Sequence, residues 1–248
     1  MACQNPTWGE ERIANELLLK LGLRVSPRTV RKYLPKHLDR GRRKRAPSRR
    51  WRAFVRNHAK AIVACDFCVV VTATFRLLSV FVVIEHTSRR LLHVNVTAHP
   101  TAAWTQQQLR DTIPSDHHDR FLIHDRDAIF SQAFDHSIRR LGLRVLKTPP
   151  QAPQAKAICE RVLGTLRREC LDFMIPLTTT PLHGILKEWV PHDNAGRPPM
   201  ALGPGFPQPP SSLPVPLPRH RLPEHLHVVS HAILGGLHHE YWREEKAA

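Results

Sequence analysis

The chain has 248 residues, 42% of them hydrophobic, which suits one full domain with smaller appendages around a real core. Its 37 Lys and Arg stand against 21 Asp and Glu, a formal charge of +16 that must sit mostly on the surface and attract a polyanion, nucleic acid first. The longest apolar run, Leu77 to Ile84, falls far short of the ~20 residues that span a bilayer, so no membrane partner is expected. Residues 1–11 carry no charged-then-apolar leader pattern, and the five scattered cysteines do not make a disulfide framework.

Residues 8–38 read as two short helices. Ile13, Leu17 and Leu21 share one helical face, Gly22 is a natural stop, and Ser26-Pro27 is a cap followed by a first-turn proline. Val30 and Leu34 can face inward while Arg28, Arg31 and Lys32 face out. That is the grammar of a partial helix-turn-helix with a basic second helix, residues 1–38, or of an ordinary helical hairpin. Residues 39–57 form a basic linker. Arg42, Arg43, Lys44 and Arg45 lie in a run of like charge that cannot fold alone and is suited to phosphates.

Residues 58–203 change character. Strand-like runs at 62–71, 77–85 and 91–96 precede a helix near 101–111 and a short strand at 121–124. A helix near 131–141, a strand at 144–146, a break at Pro149, Pro150 and Pro153, and a long helix over 155–173 complete the series. Three meander strands followed by alternating helices and strands imply an α/β fold with a mixed sheet flanked by helices. Residues 204–248 form a proline-rich segment and a tail, with a hairpin over 228–241 turning on Gly235-Gly236.

Three carboxylates stand out. Asp66 interrupts an apolar strand, where its charge is costly unless something positive sits beside it. Asp125 follows a short strand directly, and Glu160 opens the long helix 35 residues later in the numbering (160 − 125). Such a set can converge and would repel itself without cations. Mg²⁺, or Mn²⁺, is a hard ion that takes oxygen ligands, and two such ions suit in-line phosphoryl transfer. Each residue has a plainer alternative: Asp66 paired with an Arg, Asp125 as a cap, Glu160 paired with Arg126 or Arg161. Asp127 is the alternative to Asp125.

The chain resembles the catalytic subunit of insertion-sequence transposases in the retroviral-integrase superfamily. The resemblance runs over residues 6–205. It rests on Ala64-Cys65-Asp66, Thr72 to Phe75, His124 to Asp127, Gln154 to Arg161, Gly164 to Glu169 and Arg197-Pro198. It implies an RNase H-like core, with Asp66, Asp125 and Glu160 as catalytic residues and metal ligands. It also implies DNA cleavage followed by strand transfer, homo-oligomers on DNA, and a cytoplasmic, nucleoid-associated location of bacterial type. The chain departs from that family at Lys156, Asp193 and Pro199, where Asn, Tyr and His are usual. Lys156 shares a helix face with Glu160, and Arg167 and Arg168 follow on roughly the same side, candidates with Lys156 for DNA contacts. A DNA-binding remnant or repressor with an inactive core is the rival reading, and a plain nuclease is another. Cys65 and Cys68, at i and i+3 of a strand, should face opposite ways and share no zinc.

Overall fold

The computed structural model describes residues 5, 8–34, 54, 57–114, 117–125, 127–147, 157–199, 202–203, 205–211, 213–217 and 222–246. Arg42, Arg43, Lys44, Arg45 and Lys156 lie outside the described residues. The chain divides into two compact units, residues 44–186 and residues 1–43 with 187–248.

The first unit is built on β1 (Ile62–Val71), β2 (Leu77–Glu85), β3 (Leu91–Thr97), β4 (Phe121–His124) and β5 (Arg144–Lys147). They form one sheet in the order β3-β2-β1-β4-β5. β2 runs antiparallel to both neighbours, whereas β1, β4 and β5 run parallel. Helices α3 (Ala102–Thr112), α4 (Gln132–Arg140) and α5 (Ala157–Glu169) connect and flank the strands. Three antiparallel strands continued by two parallel ones, with flanking helices, make the mixed RNase H-like sheet the sequence leads one to expect. Local chemistry agrees: Thr101 and Ser131 cap α3 and α4 through hydrogen bonds to Trp104 N–H and Phe134 N–H.

The two faces of the sheet differ. Val63, Cys65, Phe81, Val83 and Leu122 point to one face, where they pack with Leu109, Ile113, Phe130, Phe134, Ile138 and Leu143. That face belongs to α3 and α4. Since side chains alternate along a strand, Ile62, Ala64, Asp66 and Cys68 point to the other face. Helix α5 packs against β1 there, burying Cys159, Leu163 and Leu166. Cys65 and Cys68 therefore do sit on opposite faces.

The second unit contains α1 (Glu10–Leu21), α2 (Pro27–Tyr33) and the hairpin β6 (Leu226–Ile233) and β7 (His238–Glu245). Helix α6 (Thr179–Pro191) starts in the first unit and ends in the second, running into a π-helical turn over His192–Gly196. Gly22 ends α1 at φ 70, its N–H bonding Leu18 C=O while Leu23 N–H reaches Leu17 C=O. A side chain there would also meet Val215 O at 2.8 Å, because the proline-rich segment crosses this end of the helix. The Gly235-Gly236 turn forms as expected, both residues having positive φ. No helix among the described residues is long and apolar enough to cross a membrane.

Candidate active site

Asp66 lies mid-strand in β1, opposite Val82 of β2, and is 7% exposed. One of its oxygens, Oδ1, accepts the Phe67 backbone N–H at 2.8 Å. A carboxylate held among Ala64, Val80 and Val82 is poorly hydrated and strongly favours a cationic neighbour.

The register fixes what stands next to it. Ala64 pairs with Ile123 in the parallel β1–β4 ladder. That last pair stands two residues before Asp66 on β1 and two residues before Asp125, which lies just past the end of β4. Asp125 follows β4 immediately; its Oδ1 accepts Asp127 N–H at 3.0 Å, a short Asx-type turn. Asp127 is exposed and caps Ile129 N–H at 3.2 Å.

His124 anchors this strand end from the opposite face. It is fully buried, stacked on Phe130 with ring centroids 4.4 Å apart. Its Nδ1 lies 2.6 Å from Asp125 O, and its Nε2 lies 3.1 Å from Asp135 Oδ1. Both ring nitrogens face oxygen atoms. The carbonyl of Asp125 is thus tied through His124 to α4. The sequence signal, His124-Asp125 with Asp135 one helix later, was there to be found, but the buried pairing was not anticipated.

Glu160 stands in the first turn of α5, exposed. Further along that helix Arg167 donates from Nη2 to Val69 O at 2.9 Å, pinning α5 to the far end of β1. Burial pushes the Cys68 thiol up to about 11, against the pull of Arg167 and with the help of Asp66, so Cys68 stays a protonated thiol. Arg168 is exposed. Among the described residues, no three His, Cys, Asp or Glu side chains come together as a metal-holding group. Asp66 stands on β1, Asp125 just beyond β4 and Glu160 in the first turn of α5.

The other candidate residues separate clearly. Arg28, Arg31 and Lys32 are all exposed on α2. Arg31 is already engaged, gripping Glu10 with two hydrogen bonds of 2.8 and 2.6 Å. Asp193, an unusual residue by resemblance, is 4% exposed and pairs with Arg197, whose guanidinium also lies 5.9 Å from the Trp189 ring. It therefore has a partner within its own unit.

No family model matches the chain, and no curated protein does. Among solved structures, it is similar to the catalytic core domain of BIV integrase at 16% identity and a TM-score of 0.46, over 60% of this chain and 91% of that one. The simian T-cell lymphotropic virus intasome, in complex with the PP2A regulatory subunit B56 gamma, aligns at 14% identity and 0.48, over 89% and 80%. The Mos1 transposase catalytic domain, solved with raltegravir and Mg, aligns at 16% identity and 0.46, over 56% and 75%.

Proposed function

We propose that this chain is a transposase- or integrase-type enzyme that cuts DNA and transfers the cut strand, using Asp66, Asp125 and Glu160. The observation that supports the reading is the β1–β4 register, whose last pair, Ala64 with Ile123, stands two residues before Asp66 and two before Asp125, while the helix of Glu160 packs against β1. An all-oxygen donor set of this kind suits Mg²⁺ or Mn²⁺. When bound, such ions lower the cost of the charge that builds on the attacking and leaving oxygens. The chain's own share is placement. Asp66 is held by the Phe67 N–H, Asp125 by the Asp127 N–H and by His124 through its carbonyl, while Glu160, exposed on the first turn of α5, is free to swing inward. DNA would lie on phosphate contacts from Arg42, Arg43, Lys44, Arg45, Lys156, Arg167 and Arg168. Helices α1 and α2 would act as a partial helix-turn-helix, with Arg28, Arg31 and Lys32 outward. The working form is a homo-oligomer on DNA in the cytoplasm.

A second reading, a DNA-binding protein without catalysis, is favoured by the unclosed carboxylate set and by Lys156 one turn before Glu160. A Mg²⁺-dependent nicking assay on supercoiled DNA separates the two. Asp66→Asn should lower nicking by at least about 100-fold, the scale of losing a key charge-stabilising group, while DNA binding holds or rises. Nicking that survives Asp66→Asn rejects this site. No nicking by the native chain, with DNA binding intact, selects the second reading.

A further inference from the structure

The hairpin of β1 and β2 outruns the helices on its α3–α4 face. Phe67 is the last side chain of β1 covered there, its ring centroid 6.4 Å from that of Trp104 and 6.0 Å from that of Phe130. Val69 and Val71 follow on the same face at period-two spacing, and Val71 pairs with Leu77 across the ladder. All three are exposed. The turn beyond them is tightly held. Thr72, buried, accepts Phe75 N–H on its carbonyl at 2.9 Å and Arg76 N–H on its hydroxyl at 3.0 Å, and donates its own N–H to Arg76 O at 2.9 Å. Ala73 N–H donates to Pro176 O at 3.0 Å, which sets Ile175 and Leu177, both exposed, beside the turn. Phe75 stands at φ 58 with 88% of its surface in water.

A Phe in the left-handed region costs free energy that Gly or Asn would not. Its ring returns nothing to the monomer, because water surrounds it. The six apolar side chains of this end are 48% to 88% exposed. Together they leave on the order of 600 Å² bare, the top of the range for a monomer's largest patch and most of the ~800 Å² that each partner supplies to a stable pair. Residues 69–75 and 175–182 contain no ionisable side chain. That composition disfavours DNA, whose phosphates seek cations. It favours a second copy, since two chains of charge +16 repel least where neither carries charge. A two-fold axis beside the hairpin lays stripe on stripe, one patch serving both sides. We infer that Val69, Val71, Phe75, Leu77, Ile175 and Leu177 form the surface on which a second copy of this chain docks. The expectation of a homo-oligomer belongs to the proposed function; the surface itself stands on exposure and register, apart from the carboxylates.

Sedimentation equilibrium of the full chain without DNA, in salt high enough to screen its net charge, tests the surface. The native chain should be a dimer. Phe75→Asn accepts the left-handed backbone, and should raise the dimer Kd by at least about 100-fold, because the two-fold axis removes the ring from both copies. Leu77→Thr keeps a strand-forming residue and should raise it by at least about tenfold. Val215→Ser, at an exposed apolar residue of the other unit, should leave it unchanged. Diluted until the native chain is also monomeric, both patch variants should melt no more than ~3 °C below it, which separates lost docking from lost folding. A native chain that stays monomeric, or a dimer as tight in Phe75→Asn, overturns the surface. So does a Phe75→Asn monomer that melts well below the native one, because the ring then serves the turn. A monomeric native chain whose duplex binding weakens in Phe75→Asn gives the patch to DNA and overturns the second copy. Docking and nicking fail separately: Asp66→Asn lies off this patch and should dimerise as the native chain does.

Discussion

The two units bury different chemistry. The sheet unit fills the α3–α4 side largely with apolar side chains, Phe81, Phe130, Phe134 and Ile138 among them, and hydrogen-bonds polar groups there, His124 with Asp135 and Gln108 with His93 and Asn95. The unit made from both ends of the chain has a small apolar cluster, Trp8, Ile13, Ala14, Leu21, Val30 and Tyr241. Around it are buried Arg12, Glu16, His192, Asp193, Arg197 and His238. Apolar burial gives a stability that hardly varies with pH, whereas buried ionisable groups make stability depend on which of them hold protons.

The largest expected effect lies in the sheet unit. Phe134→Ala, at a site 2% exposed, should cost about 3–5 kcal/mol in urea denaturation. A cost below ~1 kcal/mol would mean that the ring cluster is not what holds this unit.

Next comes Glu16, fully buried with neither carboxylate oxygen hydrogen-bonded. Burial pushes its pKa up to about 7, against the pull of Lys20, Arg12 and Arg197 and with the help of Glu240. A raised folded value means that its contribution is fully present below the unfolded pKa of about 4.3 and is lost as pH rises through about 7. The loss should approach ~3 kcal/mol at pH 8. Glu16→Gln should flatten this part of the stability–pH curve. His192, which burial holds neutral against the pull of Glu240, acts at the acid end and is common to both proteins, so the difference curve isolates Glu16. Identical curves would dismiss the buried charge.

Asp135→Ala should cost about 1–3 kcal/mol by stranding His124 Nε2. It should lower nicking further than it lowers DNA binding, because the Asp125 carbonyl loses its anchored partner. Equal loss of both would make the pair a structural one only. The smallest effect belongs to Arg31→Ala, which removes an exposed pair with Glu10 and should cost about 0.2–1 kcal/mol. Arg28→Ala and Lys32→Ala should weaken duplex binding more than Arg31→Ala does; the reverse ranking would show that DNA displaces Glu10 from Arg31.

The sheet was legible because β1, β2 and β3 are long runs rich in β-branched residues and two of its helices carry caps at Thr101 and Ser131. Period-two alternation puts Asp66 on one face of β1, but which strand pairs beside it is a three-dimensional fact. Helix α6 was not anticipated. Pro181 falls in its first turn, where the missing N–H is harmless, and Pro191 falls at its end. The long helix expected over 155–173 is shorter at its end, where a 3₁₀ turn over Leu171–Phe173 follows Cys170. The return of the last strand to the first helix left no local trace, since nothing near Ile13 announces Tyr241.

The contact of Trp8 with Tyr241, ring centroids 6.5 Å apart, has a consequence for synthesis. The chain emerges from the ribosome at roughly 5–20 residues per second, so α1 waits on the order of 10–50 s for the strand it packs against. During that interval Ile13, Leu21 and the Trp8 indole lack the cover of Tyr241. A nascent chain stalled before β7 should therefore bind a holdase chaperone through its first 21 residues, and release should coincide with the arrival of Tyr241.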